Sequence, residues 1–338
     1  VITILAAILV FGVLVTVHEF GHFITAKLTG MRVDEFAIGF GPKLYQQKDG
    51  DTLYSLRAIP LGGYNKIAGM DPDDPVTPDS FKSKSIPKRM LVILAGALMN
   101  FFLPVLLFTG MFLFQGMDRL VDEPVVGNVV FDLPADKAGL KVGDRILSID
   151  DKQMTSWRDV VLTLRASGTQ EVTLQVEHEG VQRMYKMRAI YDEEAKRPLI
   201  GVSPQVENVR LGLFASVREG CAYTKYIITS MVSSLAKIVT GQAPAEVSGP
   251  IGVAQMAGQV AEQGLLPLMN FIAFLSINLG VINLLPLPAL DGGHFVLLAL
   301  EALRGKPLGS KAMTGIQAVG VVLILALTIF STFKDITR

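Results

Sequence analysis

Two histidines and a glutamate, in His18-Glu19-Phe20-Gly21-His22, close a run of seventeen residues, 1–17, that holds no charged side chain. On a helix, residues four apart share a face, so both imidazoles point the same way and Glu19 follows the first of them. This is His-Glu-x-x-His, the pattern with which a helix grips Zn²⁺ while the carboxylate serves as general base in peptide hydrolysis. A polar cluster without chemistry can have the same spelling. The surroundings argue against that, because ionisable groups at membrane depth are costly unless paired or ligated and mark function by default.

The elements that carry these residues are apolar. Half of the 338 residues are hydrophobic and 18% are charged, too few for an ordinary soluble protein. Net charge is zero and no long basic run occurs, so nothing points to a nucleic-acid partner. The single cysteine, Cys221, excludes an intramolecular disulfide and a cysteine-based zinc site. Metal ligands must come from His18, His22, His178, His294 and the carboxylates. Residues 1–17 lack a small-x-small cleavage signal before His18, so they read as the start of a span over 1–28 rather than a leader. Further spans are read at 90–114, 265–287 and 314–333, each near the ~20 apolar residues that cross a bilayer. Segment 211–240 carries Arg218, Glu219, Lys225 and Lys237 and suits an amphipathic helix on the membrane or on a domain, outside the span count.

Ten Lys/Arg lie in 27–89, and Arg304, Lys306 and Lys311 sit between the third and fourth spans. The positive-inside rule puts both loops in the cytoplasm and leaves the termini and 115–264 outside. The chain then divides into 1–114, a first membrane half; 115–210, an outer domain; 211–264, an amphipathic linker; and 265–338, a second membrane half.

Two imidazoles leave a zinc site one protein ligand short. The end of the third span offers Asn283-Leu284-Leu285-Pro286-Leu287-Pro288-Ala289-Leu290-Asp291-Gly292-Gly293-His294. Irregular backbone at membrane depth is tolerated where it lines a protein-buried cavity. Taken alone, Asp291 fits equally a cap on a short helix over 292–303.

Together, the His-Glu-Phe-Gly-His and Asn-x-x-Pro-x-Pro-x-Leu-Asp-Gly segments resemble the site-2 protease family of intramembrane zinc metalloproteases, more narrowly its bacterial RseP-type branch. Also matching are Gly39-Phe40-Gly41, Pro60-Leu61-Gly62-Gly63-Tyr64, Gly96-x-x-x-Asn100 and Ser248-Gly249-Pro250-Ile251-Gly252, so the resemblance covers nearly the whole chain. Two features depart from it: Ala97 stands where many relatives have proline, and there is room for one PDZ domain rather than two. The resemblance implies a polytopic α-helical membrane protein of about four transmembrane helices with a membrane-associated β-hairpin and an inserted extracytoplasmic α+β PDZ domain. It implies one Zn²⁺ per chain on His18, His22 and Asp291, with Glu19 as catalytic acid/base and Asn283 on the substrate backbone. It places Gly39, Gly41, Gly62 and Gly63 in a hairpin that holds an unwound substrate beside the site. Expected partners are the lipid bilayer and single-pass transmembrane substrates such as trimmed anti-sigma factors and remnant signal peptides. The expected location is the bacterial cytoplasmic (inner) membrane, with the site toward the cytoplasm.

The outer segment supports the PDZ reading through Val126-Gly127-Asn128-Val129-Val130, Pro134-Ala135-x-x-Ala138-Gly139-Leu140 and Gly143-Asp144-Arg145-Ile146. A short helix is expected over 157–165 and strands over 171–177 and 183–190 around the Glu179-Gly180 turn. Leu199-Ile200-Gly201-Val202 resembles a carboxylate-binding strand permuted to the domain's end, able to take an extended segment or C-terminus by strand addition. The alternative is a domain that only covers the mouth of the site. His294, three residues after Asp291, is read either as a donor supporting a ligand or as facing away, and not as a ligand itself; His178 is read as a surface residue. A competing function is a non-enzymatic PDZ adaptor with structural zinc, but such zinc sites usually have four closed protein ligands.

Overall fold

The structure is a computed structural model that describes residues 1–71, 73–192, 196–244 and 249–337; Ser248 of the quoted motif lies outside them. In chain order it has α1 (Ile2–Leu28), β1 (Val33–Asp49), β2 (Thr52–Ile67), α2 (Ile86–Gln115), β3 (Met117–Leu120), β4 (Val126–Val129), α3 (Pro134–Ala138), β5 (Arg145–Ile149), β6 (Lys152–Gln153) and α4 (Trp157–Ser167). There follow β7 (Glu171–His178), β8 (Val181–Arg188), β9 (Ile190–Asp192), β10 (Arg197–Leu199), β11 (Val202–Pro204), β12 (Val206–Val209), α5 (Leu213–Val239), α6 (Pro250–Glu262), α7 (Leu265–Asn283), α8 (Asp291–Arg304) and α9 (Ser310–Thr337). Two compact units result, one of Val1–Leu113 with Gly212–Arg338 and one of Phe114–Leu211.

In the first unit α1, α2, α7 and α9 are long and apolar enough to cross a bilayer. Val10 and Leu14 of α1, Leu103 of α2, Ala257 of α6, and Leu268 and Ile272 of α7 form one buried cluster. Helix α5 is not among the four; its Gly220 lies against the backbone of Thr109, and Tyr223 meets the Phe108 ring edge-on at 4.8 Å. The expected third span is shorter than read, ending at Asn283 instead of 287. Pro286 and Pro288 have no N–H to continue the helical ladder, and the chain turns through them into α8.

β1 and β2 pair along three stretches, Val33 opposite Ile67 through Ile38 opposite Gly63, Glu35 opposite Leu53 through Ile38 opposite Leu56, and Tyr45 opposite Leu56 through Asp49 opposite Thr52. Phe36 faces both Asn65 and Tyr54, so the first part of β1 has a neighbour on each side. The register slips around Gly39 and Gly41, whose φ angles of 89° and 81° suit glycine. A Cβ on Gly39 would stand 2.7 Å from the Ile59 oxygen. The hairpin exposes Phe40, Leu44, Tyr45, Leu56 and Ile59, an apolar surface suited to lipid.

The second unit is an α+β domain with a four-stranded antiparallel sheet in the order β6-β5-β7-β8. Alternation along β7 buries Val172, Leu174 and Val176 against Ile146, Ile149, Val160 and Ile200. Ser156 and Asp159 form a capping box that starts α4. His178, expected on the surface, keeps 27% of its side chain exposed and sets Nδ1 2.7 Å from Asp144 Oδ1. Asp144 is 1% exposed, and the imidazole covers a carboxylate that also accepts from the Lys141 amide.

Candidate metal centre

Helix α1 puts His18 and His22 on the face that meets α2, and two glycines let the helices close. A Cβ on Gly21 would stand 2.7 Å from Met99 Cγ, and one on Gly96 would stand 2.7 Å from His18 Cε1 and 2.6 Å from His22 Cε1. The imidazoles therefore sit close against bare backbone, with their ring planes 89° apart. His22 Nδ1 donates to the Val92 oxygen at 2.8 Å, which leaves its Nε2 lone pair free. His18 Nδ1 is 3.1 Å from Nδ2 of the Asn100 carboxamide, whose buried Oδ1 has no hydrogen-bond partner. A half-turn of that amide sets Oδ1 against Nδ1–H and frees His18 Nε2 in the same way.

Asp291 arrives from the other end of the chain. The turn between α7 and α8 is held by Leu285 N to Ile282 O at 3.0 Å and Leu290 N to Leu287 O at 3.2 Å. Ala289 takes φ 70° within it, and side chains at Gly292 or Gly293 would collide with the backbone of 284–287. Asp291 opens α8, whose N-cap is Leu290 without a side-chain cap, so the capping role is not the one it takes. Its Oδ2 is buried without a hydrogen-bond partner and lies 3.5 Å from Nε2 of both His18 and His22.

The two Nε2 atoms are 3.2 Å apart. Edges of 3.2, 3.5 and 3.5 Å suit a tetrahedral zinc, for which bonds near 2.0–2.1 Å give a ligand–ligand edge of about 3.3 Å. An acceptor-only carboxylate oxygen facing two ring nitrogens is satisfied by a cation, so these residues fit the ion. They are the one such metal-binding group among the described residues. His294, one turn into α8, is not part of it and lines a cavity of about 470 Å³ with Arg89 and Glu301.

Glu19 meets the hairpin. Asn65 on β2 donates through Nδ2 to Glu19 Oε2 at 2.9 Å and to the Glu19 backbone oxygen. A Cβ on Gly63 would be 3.7 Å from Glu19 Cγ, and Gly62 takes φ 148° beside the Phe40 ring. Arg57 braces the strands by donating to the Gly41 oxygen, Glu35 and the Tyr64 hydroxyl at 2.9, 2.8 and 2.5 Å. Asn283, 8% exposed, ends α7 just before the turn that carries Asp291.

Of the residues expected to act, His18, Glu19, His22 and Asp291 come together with Gly63 beside them, while Gly39, Gly41 and Gly62 shape the hairpin. Leu199, Ile200, Gly201 and Val202 belong to the other unit. There the Ile200 and Gly201 oxygens accept from Ala135 and Val130, Ile200 is in the core, and Leu199 and Val202 are half-buried. Sequence reasoning missed Asn65 and the close approach of Gly96. Neither spacing nor residue type announces which strand residue will face a helix.

A family model described as "Peptidase family M50" matches residues 6–327. A Clostridium acetobutylicum relative is 37% identical over 334 residues, covering 98% of this chain and 97% of its own. The zinc metalloprotease RasP of Geobacillus kaustophilus is 32% identical over 421 residues, covering 99% and 98%. The regulator of sigma-W protease RasP of Bacillus subtilis is 31% identical over 419 residues, covering 99% and 98%. Among solved structures, the PDZ domain of an SdrC-like protein from Listeria monocytogenes is 22% identical with a TM-score of 0.23, over 25% of this chain and 87% of that one. The chain belongs to peptidase family M50 and is a zinc-dependent intramembrane metalloprotease.

Proposed function

We propose that the enzyme cuts the membrane-spanning segments of single-pass proteins, with His18, His22 and Asp291 as its zinc ligands and Glu19 as its acid/base. The observation that carries this reading is the convergence of two imidazole nitrogens and one unpartnered carboxylate oxygen beside Glu19, in a unit with four apolar spans. When bound there, zinc supplies Lewis-acid polarisation and a nucleophile at neutral pH. Glu19 takes the proton of the attacking water and returns it to the leaving amine.

A helical substrate protects its scissile bond, because its backbone groups are already paired. Local unwinding leaves amides and carbonyls in need of partners. The strand at Gly62–Tyr64, next to Glu19, supplies them by β-addition, and its glycines keep side chains out of the way. Asn283 pairs with a remaining backbone group. An apolar cleft of about 690 Å³ between α1, β2 and α6, lined by Ile4, Ile8, Ile59 and Ile251, leads along α1 and receives the part of the substrate that is still helical.

The excess of Lys/Arg in 27–89 supports a site toward the cytoplasm of a bacterial inner membrane and an outer unit on the far side. There Leu199–Val202 takes an extended peptide or C-terminus in a PDZ groove. Anti-sigma factors already trimmed outside, and remnant signal peptides, are the proposed substrates; the name of the Bacillus subtilis relative, regulator of sigma-W protease, supports the first.

The test is cleavage of a model single-span substrate in liposomes, with zinc measured on the same samples. Glu19→Gln is expected to keep zinc and lose cleavage, while His22→Ala and Asp291→Ala lose both. Cleavage by Glu19→Gln would overturn the assignment of the base.

A further inference from the structure

We infer that Asn65 is a positioning residue for the general base, so that the strand that seats the substrate also aims Glu19. The inference rests on the reading of Glu19 as the base.

A glutamate on a helix has three rotatable side-chain bonds, and nothing in α1 itself selects the conformer that faces the metal ligands. Asn65 makes that selection with one amide nitrogen, which donates both to Glu19 Oε2 and to the Glu19 backbone oxygen. Holding the two oxygens from a single point fixes the carboxylate relative to its own main chain and leaves Oε1 for the proton in transit. Proper aim matters to rate, since a small misplacement of a reacting group costs far more in turnover than in binding.

The placement is expensive for a residue that only fills space. Asn65 Oδ1 is buried with no hydrogen-bond partner, a cost that an apolar side chain of similar size would avoid. The donor is spent on Glu19 while the acceptor is left unpaired, as expected if the site is built around the base rather than around the strand.

The strand position couples this to substrate. Asn65 follows Gly62, Gly63 and Tyr64, and it stands opposite Phe36 in the pairing with β1. Arg57 fixes the same stretch through the Tyr64 hydroxyl and ties it to the Gly41 oxygen. A peptide added along Gly62–Tyr64 shares its ladder with the residue that holds the base, so seating and aiming are one event.

The full-length chain in liposomes gives the test, with a model single-span substrate. Asn65→Leu removes the donor at nearly constant size, and Asn65→Asp sets a like charge against Glu19. For Asn65→Leu the expected result is a fall in kcat of about tenfold or more with KM within about twofold, one zinc per chain and an unchanged melting temperature. Asn65→Asp is expected to lose more. In the Glu19→Gln background, adding Asn65→Leu is expected to leave the Kd for uncleaved substrate unchanged. Parent-like kcat in Asn65→Leu, a rise in KM alone, loss of zinc, or a weakened Kd in the double variant would each overturn the inference. Cleavage by Glu19→Gln alone would instead overturn the reading of the base.

Discussion

His22 Nδ1 donates to the main-chain oxygen of Val92, and that bond turns the opposite ring nitrogen toward Asp291. Helix α2 thus sets the tautomer and plane of a proposed ligand that belongs to α1. It does so at close range because Gly96, one turn after Val92, offers no side chain to either imidazole.

Gly96→Ala is therefore expected to push both rings off their positions without touching a ligand atom chemically. Zinc affinity should fall by about tenfold or more, as losses of supporting contacts around a metal do. Competition with a chelator, read as zinc per chain, checks it. Retention of zinc at parent-like affinity would mean that α1 and α2 can separate without cost.

Gly63→Ala tests the hairpin beside the proposed base, Glu19. Its Cβ would stand 2.6 Å from the Ala37 oxygen, in the strand pairing that aligns β2 with β1. Cleavage is expected to drop by about tenfold or more while zinc stays bound, since a displaced strand misplaces the substrate rather than the metal. Turnover measured beside metal content separates the two.

Asp335, near the end of α9, accepts from the Gly249 and Gly252 amides with Oδ1 and Oδ2 at 3.0 and 2.8 Å. These amides open α6, so the carboxylate caps a helix start from another helix. Asp335→Ala should cost about 1 kcal/mol, lower the melting temperature and speed hydrogen exchange at Gly252. Unchanged exchange at Gly252 would argue against the tie.

Glu35 should make the hairpin sensitive to acid. Burial raises its pKa, but hydrogen bonds from Ser55, Arg57 and Tyr64 outweigh burial, and its carboxyl is held at about 2 rather than 4.5. A carboxylate with a depressed pKa stabilises the fold above its unfolded pKa, and that contribution fades as pH falls through the folded one. The parent's melting temperature should therefore drop between about pH 4.5 and 2, and that of Glu35→Gln should be lower at neutral pH but flatter across the same window. Parallel curves would show that Glu35 does not supply the dependence.

The spans and the ligand pair were legible because they depend on local pattern. An uncharged run announces a helix in lipid, and the spacing of His18 and His22 puts both on one helical face whatever lies around them. Asp291 was legible only through family resemblance, since an aspartate after two prolines is equally a helix cap. Asn65 was not legible at all. Its role depends on the register of β2 against β1 and on the side of α1 that this sheet meets, and neither is encoded within a few residues. The contact of His178 with Asp144 was hidden for the same reason, since it joins residues far apart in the chain.

The proposed zinc ligands are divided between α1 and a helix that begins only at Asp291. During synthesis, a chain threaded as far as its first two helices carries two imidazoles and a glutamate but no competent scissors. Capture by all three must wait until the ribosome has made the chain as far as Asp291. A peptidase built this way stays harmless to its neighbours, and to itself, until that later helix has docked.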